Sequence, residues 1–149
     1  MGGGSIAQGV VLGVLCLVPS AAVAWEFQSG TPCRLTHIEE DVAVELTFQP
    51  QIPLYTMSLT ALTPWPSGRE FSMTFLQRRP LRIATERHEM RDAGRTIFVE
   101  DAGFGNVLNG LQFNDVALAQ LGSRTIELDL DTAPEAVEAF RNCGAIPSV

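Results

Sequence analysis

Val42-Ala-Val-Glu-Leu-Thr-Phe-Gln49, Pro50-Gln-Ile-Pro53 and Leu54-Tyr-Thr-Met-Ser-Leu-Thr-Ala-Leu62 follow one another without a break. In the first piece Val42, Val44, Leu46 and Phe48 share one face, with Glu45, Thr47 and Gln49 opposite. In the last, Tyr55, Met57, Leu59 and Ala61 alternate with Thr56, Ser58 and Thr60. A period of two places successive side chains on opposite faces, so each piece predicts a strand with one buried and one wet side. Proline at 50 and 53 forces a turn between them. The same pattern recurs in Phe71, Met73, Phe75 and in Ile126, Leu128, Leu130, and weaker strands are predicted at 33–38, 81–85 and 96–100. Glu39-Glu-Asp41, Thr63-Pro-Trp-Pro-Ser-Gly68, Gln77-Arg-Arg-Pro80 and Asp92-Ala-Gly94 supply the turns. No connection before residue 101 is long enough for a crossover helix, which favours an antiparallel meander over βαβ units.

Helix is predicted only near the end. Thr132-Ala-Pro-Glu135 has the form of a capping box, and Ala133, Ala136, Val137, Phe140 and Cys143 then fall on one stripe. A shorter helix is expected from Asn114 or Asp115 to Leu121, stopped by Gly122. The resulting fold class is α+β, mainly β: about seven strands in a mostly antiparallel sheet or flattened sandwich, with the C-terminal helix packed on it.

Of the 149 residues, 17 are acidic and 10 basic, for a formal net charge of -7, and every basic residue is Arg. The acidic balance argues against nucleic acid, which needs a basic stripe. Lacking Lys, the chain has neither Schiff-base chemistry nor a Walker-type phosphate loop. The first 24 residues carry no charged side chain; Val10–Val18 is an apolar run, broken at Pro19, and Ala22-Val-Ala24 provides small residues just before Trp25. That arrangement reads as a signal peptide cleaved after Ala24, with an uncleaved membrane anchor as the alternative; after cleavage, residues 25–149 form one exported, periplasmic domain with no stable membrane insertion. Export leaves two cysteines, Cys33 and Cys143, in a compartment where disulfides persist, and their simplest pairing is with each other.

Asp101-Ala-Gly-Phe-Gly-Asn-Val-Leu-Asn-Gly110 is the most distinctive stretch, but its spacing is not that of a dinucleotide fingerprint. It reads first as a tight turn with Gly103 and Gly105 at φ > 0. As a ligand loop it would use Gly103 and Gly105 with the side chains of Asn106 and Asn109. Glu127, Asp129 and Asp131, and Glu39-Glu-Asp41, lack the loop shape that calcium requires. His88-Glu-Met-Arg-Asp92 ends on Asp where a zinc motif needs His, and no Ser sits in a nucleophile elbow. No metal, cofactor or catalytic residue is therefore expected. Trp65 between Pro64 and Pro66 reads either as a rigid aromatic interface anchor, beside Arg78, Arg79 and Arg82, or as a side chain folded back onto the sheet with the arginines paired to acids. Six of the ten arginines lie between residues 78 and 95, a basic side on an acidic protein.

Thr31-Pro-Cys-Arg-Leu-Thr-His37, Phe104-Gly-Asn-Val-Leu-Asn-Gly110 and Ala139-Phe-Arg-Asn-Cys143 resemble a family of small, uncharacterised exported proteins of alphaproteobacteria. The strand-then-helix end, Arg124–Phe140, is weakly similar to invasion-associated locus B proteins of the periplasm. Neither resemblance supplies functional residues. The function expected is that of a periplasmic non-catalytic binding or accessory protein whose partner is another envelope protein. The alternative is a small carboxylate-dependent hydrolase or carbohydrate-active enzyme, which needs only two placed acids and a cleft.

Overall fold

A computed structural model describes residues 2–5, 9–15 and 24–144. Strands β1 (Glu26–Gln28), β2 (Cys33–Ile38), β3 (Val42–Gln49) and β4 (Leu54–Ala61) form a meander, each antiparallel to the one before. The chain then leaves this sheet for a hairpin, β5 (Phe71–Leu76) and β6 (Leu81–Thr85). It returns through β7 (Glu89–Arg91) and β8 (Thr96–Asp101), with β8 lying beside β4 and β7 outside it. After helix α1 (Gly105–Gln112), strands β9 (Val116–Leu121) and β10 (Arg124–Asp129) complete the second sheet, and helix α2 (Ala133–Arg141) follows. The sheets are six strands in the order β1-β2-β3-β4-β8-β7 and four in the order β10-β9-β5-β6. The protein is thus mainly β with two antiparallel sheets and a C-terminal helix, and the described residues contain ten strands where seven were expected.

The alternating segments have the faces that their period dictates. Val42, Val44, Leu46, Met57, Leu59 and Ala61 are buried from the first sheet, and Phe71, Met73, Phe75, Ile126 and Leu128 from the second, in one continuous core. Helix α2 adds Ala133, Ala136, Val137 and Phe140 to that core and packs against α1, β1 and β2. Cys143, just past the end of α2, meets Cys33 on β2 at disulfide distance, with Cα atoms 6.4 Å apart.

Three local expectations are corrected. Residues 116–121 are a strand, not a helix, because β5 and β10 pair with them on both sides, and that pairing outweighs the modest helix propensity of Ala, Leu and Gln. Residues 105–112 are a helix, not a turn: Phe104, Val107, Leu108 and Leu111 recur at helical spacing and are all buried. Gly103 and Gly105 do not take positive φ; that conformation belongs to Gly30, Gly94, Gly122 and Gly144. Gly122 opens the two-residue β9–β10 hairpin turn at φ +56°, where a side chain would be strained and would also strike the Ser67 carbonyl.

Thr132 is the N-cap residue of α2, as the capping pattern requires, yet its hydroxyl does not cap the helix. It accepts the Trp25 backbone N–H at 2.8 Å instead, tying the start of the domain to its last helix. Gly110 has a packing role, since a Cβ there would penetrate the Phe75 ring. Gly110→Ala is therefore expected to destabilise by about 1–3 kcal/mol through overpacking, despite the better helix propensity of Ala. Gly103→Ala, whose Cβ would meet nothing within 4 Å, is the control. Urea midpoints for the two variants give the comparison, and equal midpoints would refute the packing role.

Half of the stretch expected as a leader lies outside the described residues: Cys16–Val23, which include the break at Pro19 and most of the cleavage motif, are not among them. Val10, Val11, Leu12, Val14 and Leu15 are described and exposed. Among the described residues no helix is long and apolar enough to cross a membrane.

Candidate functional site

Trp65 is buried and does not stand out as an exposed aromatic. Trp65 is 5% exposed; its N–H donates to the Gly94 carbonyl at 2.9 Å, its ring N–H reaches the Leu59 carbonyl at 3.4 Å, and Arg124 lies 5.2 Å over its ring. Two prolines make the loop rigid, and burying some 200 Å² of indole outweighs leaving it at the tip. Trp65 is a core residue, not an exposed loop tip.

The basic side is also largely neutralised. Arg78 pairs with Asp115 at 3.2 Å and Arg82 with Glu70 at 2.8 Å, both at the surface. Arg79 lies 4.5 Å over the Phe113 ring. Its backbone is held by Asn114, which is fully buried: Oδ1 accepts the Arg79 N–H and Nδ2 donates to the carbonyls of Arg79 and Gly110. Arg91 stacks at 3.4 Å over Phe98 and pairs with Glu89 at 3.0 Å. Surface pairs of this kind contribute little stability, but they set Asp115 and Glu70 beside Arg78 and Arg82, while Arg79 meets the Phe113 ring and no acid.

One concave feature lies at the corner where neither sheet is closed, and another, of about 520 Å³, lies along β2, β3 and β4 beside Arg91 and Asp92; the first carries the glycine-rich stretch. β6 is the last strand of the four-stranded sheet, and β7 pairs with β8 only as far as Phe98. Val99, Glu100 and Asp101 therefore have no strand on their outer side, and a groove of about 420 Å³ opens between them and β6. Met57, Phe71, Met73, Phe104 and Val107 form its floor, and Ile83 and Val99 form its walls. Its rim carries Thr85, Arg87, Glu100, Asp101, Gly103, Gly105 and Asn106. The groove thus contains most of the glycine-rich stretch that stood out in the sequence.

Three of the four expected loop residues meet here: Gly103, Gly105 and Asn106 line the rim. Asn109 does not. It points to the other helix, where its Oδ1 accepts from Arg141 at 2.6 Å, alongside Gln112, which accepts from the same guanidinium. The apolar floor escaped the sequence reading, since Met57, Met73 and Phe104 look like ordinary core positions; only their meeting at an unclosed corner makes a site.

Glu100 and Asp101 are neighbours on β8 and alternate across the sheet: Asp101 shares the inner side with Val99, while Glu100 faces outward with Phe98. One Asp101 oxygen accepts the Ala102 N–H at 2.7 Å and the other lies 3.8 Å from Arg87. Among the described residues no three His, Cys, Asp or Glu side chains converge as a metal site. The acids near the second sheet's edge have a structural use: Glu39 Oε1 accepts the Asp129 N–H at 2.9 Å.

His37 is buried at 2% exposure and stacked flat on Trp25, ring centroids 4.4 Å apart. Glu39 Oε1 is 3.2 Å from its Nε2, but off the hydrogen-bonding direction, so neither ring nitrogen is hydrogen-bonded. This cluster joins β2, Trp25 just ahead of β1, and β10.

Comparison with family models, curated proteins and solved structures finds no match for this chain.

Proposed function

We propose that the protein is an exported, periplasmic, non-catalytic binding protein and that the groove between β6 and β8 is its binding site. The observation that carries this reading is an apolar floor under a polar rim, about 420 Å³ in volume, within the ~300–1,000 Å³ of small-molecule sites. Export is supported by the leader pattern and by two cysteines at disulfide distance, a pairing that persists in oxidising compartments. The hydrolase alternative asks for two carboxyl groups facing each other across a cleft. At this groove the two acids are consecutive on one strand and face opposite ways, which favours binding over chemistry. With Trp65 buried, an envelope protein as partner would have to engage this groove as well, by presenting an apolar group to it.

Titration with the neutral dye N-phenyl-1-naphthylamine tests the site. Saturable 1:1 binding with a blue-shifted, enhanced emission is expected, weakened at least tenfold by Val99→Asp on the wall. Because Val99 is half-buried, Gly105→Leu serves as a second variant: its Cβ has open space and its φ is unstrained, so it narrows the rim without disturbing the core. A dye that fails to saturate, or that binds both variants as well as the parent, would overturn the reading.

A further inference from the structure

We infer that the groove takes a free single-chain amphiphile, with an alkyl chain on the floor and a carboxylate head at Arg87. This rests on the groove being the binding site. No polar side chain reaches the floor: Met57, Met73, Phe71 and Phe104 offer only hydrocarbon, thioether and aromatic surface. Such a lining has no hydrogen-bonding group to select a polar ring, and thioethers adapt to a flexible chain. The volume lies toward the low end of small-molecule sites, which suits one chain rather than two.

The head group follows from charge at the mouth. Arg87 is the one cation among the lining residues. Its side chain is 86% exposed, and its only acidic contact, the Asp101 oxygen at 3.8 Å, is beyond hydrogen-bond length. Asp101 spends its other oxygen on the Ala102 N–H, and Glu100, which also lines the groove, alternates to the opposite side of β8 from Asp101. The guanidinium fork is therefore open to a planar carboxylate, which it binds with two parallel hydrogen bonds. Its backbone is fixed at the rim, because the Arg87 N–H donates to Thr85 Oγ1 at 3.0 Å. Beside it, His88 lies against Phe71 of the floor with a ring nitrogen, Nδ1, that is shielded from water and has no hydrogen-bond partner. The mouth thus holds an exposed cation without a hydrogen-bonded acid over an apolar trough, the arrangement that an anionic amphiphile completes.

Calorimetry on the disulfide-bonded protein with decanoate, 1-decanol and decyltrimethylammonium, each below its micellar concentration, tests the assignment. Decanoate is expected to bind at least tenfold tighter than either of the others, and Arg87→Gln to remove that advantage while leaving decanol unchanged. Octanoate is expected to bind about fifteenfold more weakly than decanoate, since each of the two buried methylenes contributes about fourfold. If the dye binds but decanoate is no tighter than decanol, or Arg87→Gln changes nothing, the head-group assignment falls while the groove stands. Preference for decyltrimethylammonium would make Asp101 the selector and overturn it too. Binding to phosphatidylglycerol vesicles without binding decanoate would overturn a free amphiphile. If neither dye nor amphiphile binds, both readings fall.

Discussion

Cys33→Ala or Cys143→Ala is expected to lower stability by about 2–5 kcal/mol and the thermal midpoint by about 10–20 °C. The pair spans 110 residues, so the bridge denies the unfolded chain most of its loop freedom, which the chain-entropy argument places near 4–5 kcal/mol before strain. A domain of this size has about 5–15 kcal/mol to lose, which makes this the largest single contribution expected from any pair of side chains. The native-state role is equally specific. Cys143 sits one residue beyond the C-cap of α2, and Cys33 lies on β2, the strand that α2 packs against, so the bridge holds the helix to the six-stranded sheet. Alanine is the right replacement at Cys33, which is buried and would strand a Ser hydroxyl. Urea titration of both single variants and the double variant gives the check. If the two cysteines act as one unit, the double variant matches either single rather than their sum. Three parent-like midpoints would mean that no bridge stabilises the fold.

The segments that were legible from sequence are those in which one physical demand dominates. Val42–Gln49, Leu54–Ala61 and Phe71–Phe75 bury one face each, and a period of two can satisfy that demand only as a strand. The segment 116–121 was misread because its residues satisfy two demands equally. Ala117, Ala119 and Leu121 alternate into the core, while Ala, Leu and Gln are good helix formers, and only the partners β5 and β10 decide between them. In 105–112 the helical spacing of Phe104, Val107, Leu108 and Leu111 was present, but Gly105, Asn106, Asn109 and Gly110 argued for a turn on propensity. Packing overrode propensity: Gly110 is in the helix because α1 runs against Phe75, a contact of high sequence separation that no local window contains. Trp65 illustrates the same limit. A proline-flanked aromatic reads alike whether its loop stands out or folds back, and the outcome depends on Gly94 and Leu59 offering carbonyls beneath it.

The candidate site was legible only by its rim. Gly103, Gly105 and Asn106 stood out because glycine clusters are rare in mature domains, although their backbone conformation turned out to be ordinary. Neither glycine is required by φ or by a neighbour, as open space surrounds both Cβ positions. What they do at this position is keep the mouth of the groove low. The groove itself arises from topology: β7 is three residues long and turns away from β8 at the point where the chain crosses between sheets. A strand length of that kind is not encoded in any motif.

Trp25→Ala is the second large effect, expected to cost about 3–5 kcal/mol as a buried aromatic truncation. Trp25 is 4% exposed and makes three separate attachments: its backbone N–H to Thr132 Oγ1, its indole N–H to the Asp129 carbonyl at 2.8 Å, and its ring face to His37. Two of these reach across more than 100 residues, so the start of the domain is stitched to β10 and to the head of α2. β1 pairs over only three residues and depends on this anchor to stay in the sheet. Trp25→Phe separates the contributions, since it keeps the stack on His37 but leaves the Asp129 carbonyl without its donor, for a loss of about 1–2 kcal/mol plus the smaller ring. Thr132→Val removes the hydroxyl that accepts the backbone N–H, a bond independent of the side chain at 25, so its cost should add to that of Trp25→Phe within about 0.5 kcal/mol. With the leader cleaved after Ala24, as proposed above, the Trp25 nitrogen remains a donor, and the stitch survives processing. Urea midpoints give the energies, and hydrogen exchange locates them: protection should fall first in β1 and the first turn of α2. A Trp25→Ala protein within 1 kcal/mol of the parent would mean that the N-terminal stitch carries no weight and that the bridge alone holds the two ends together.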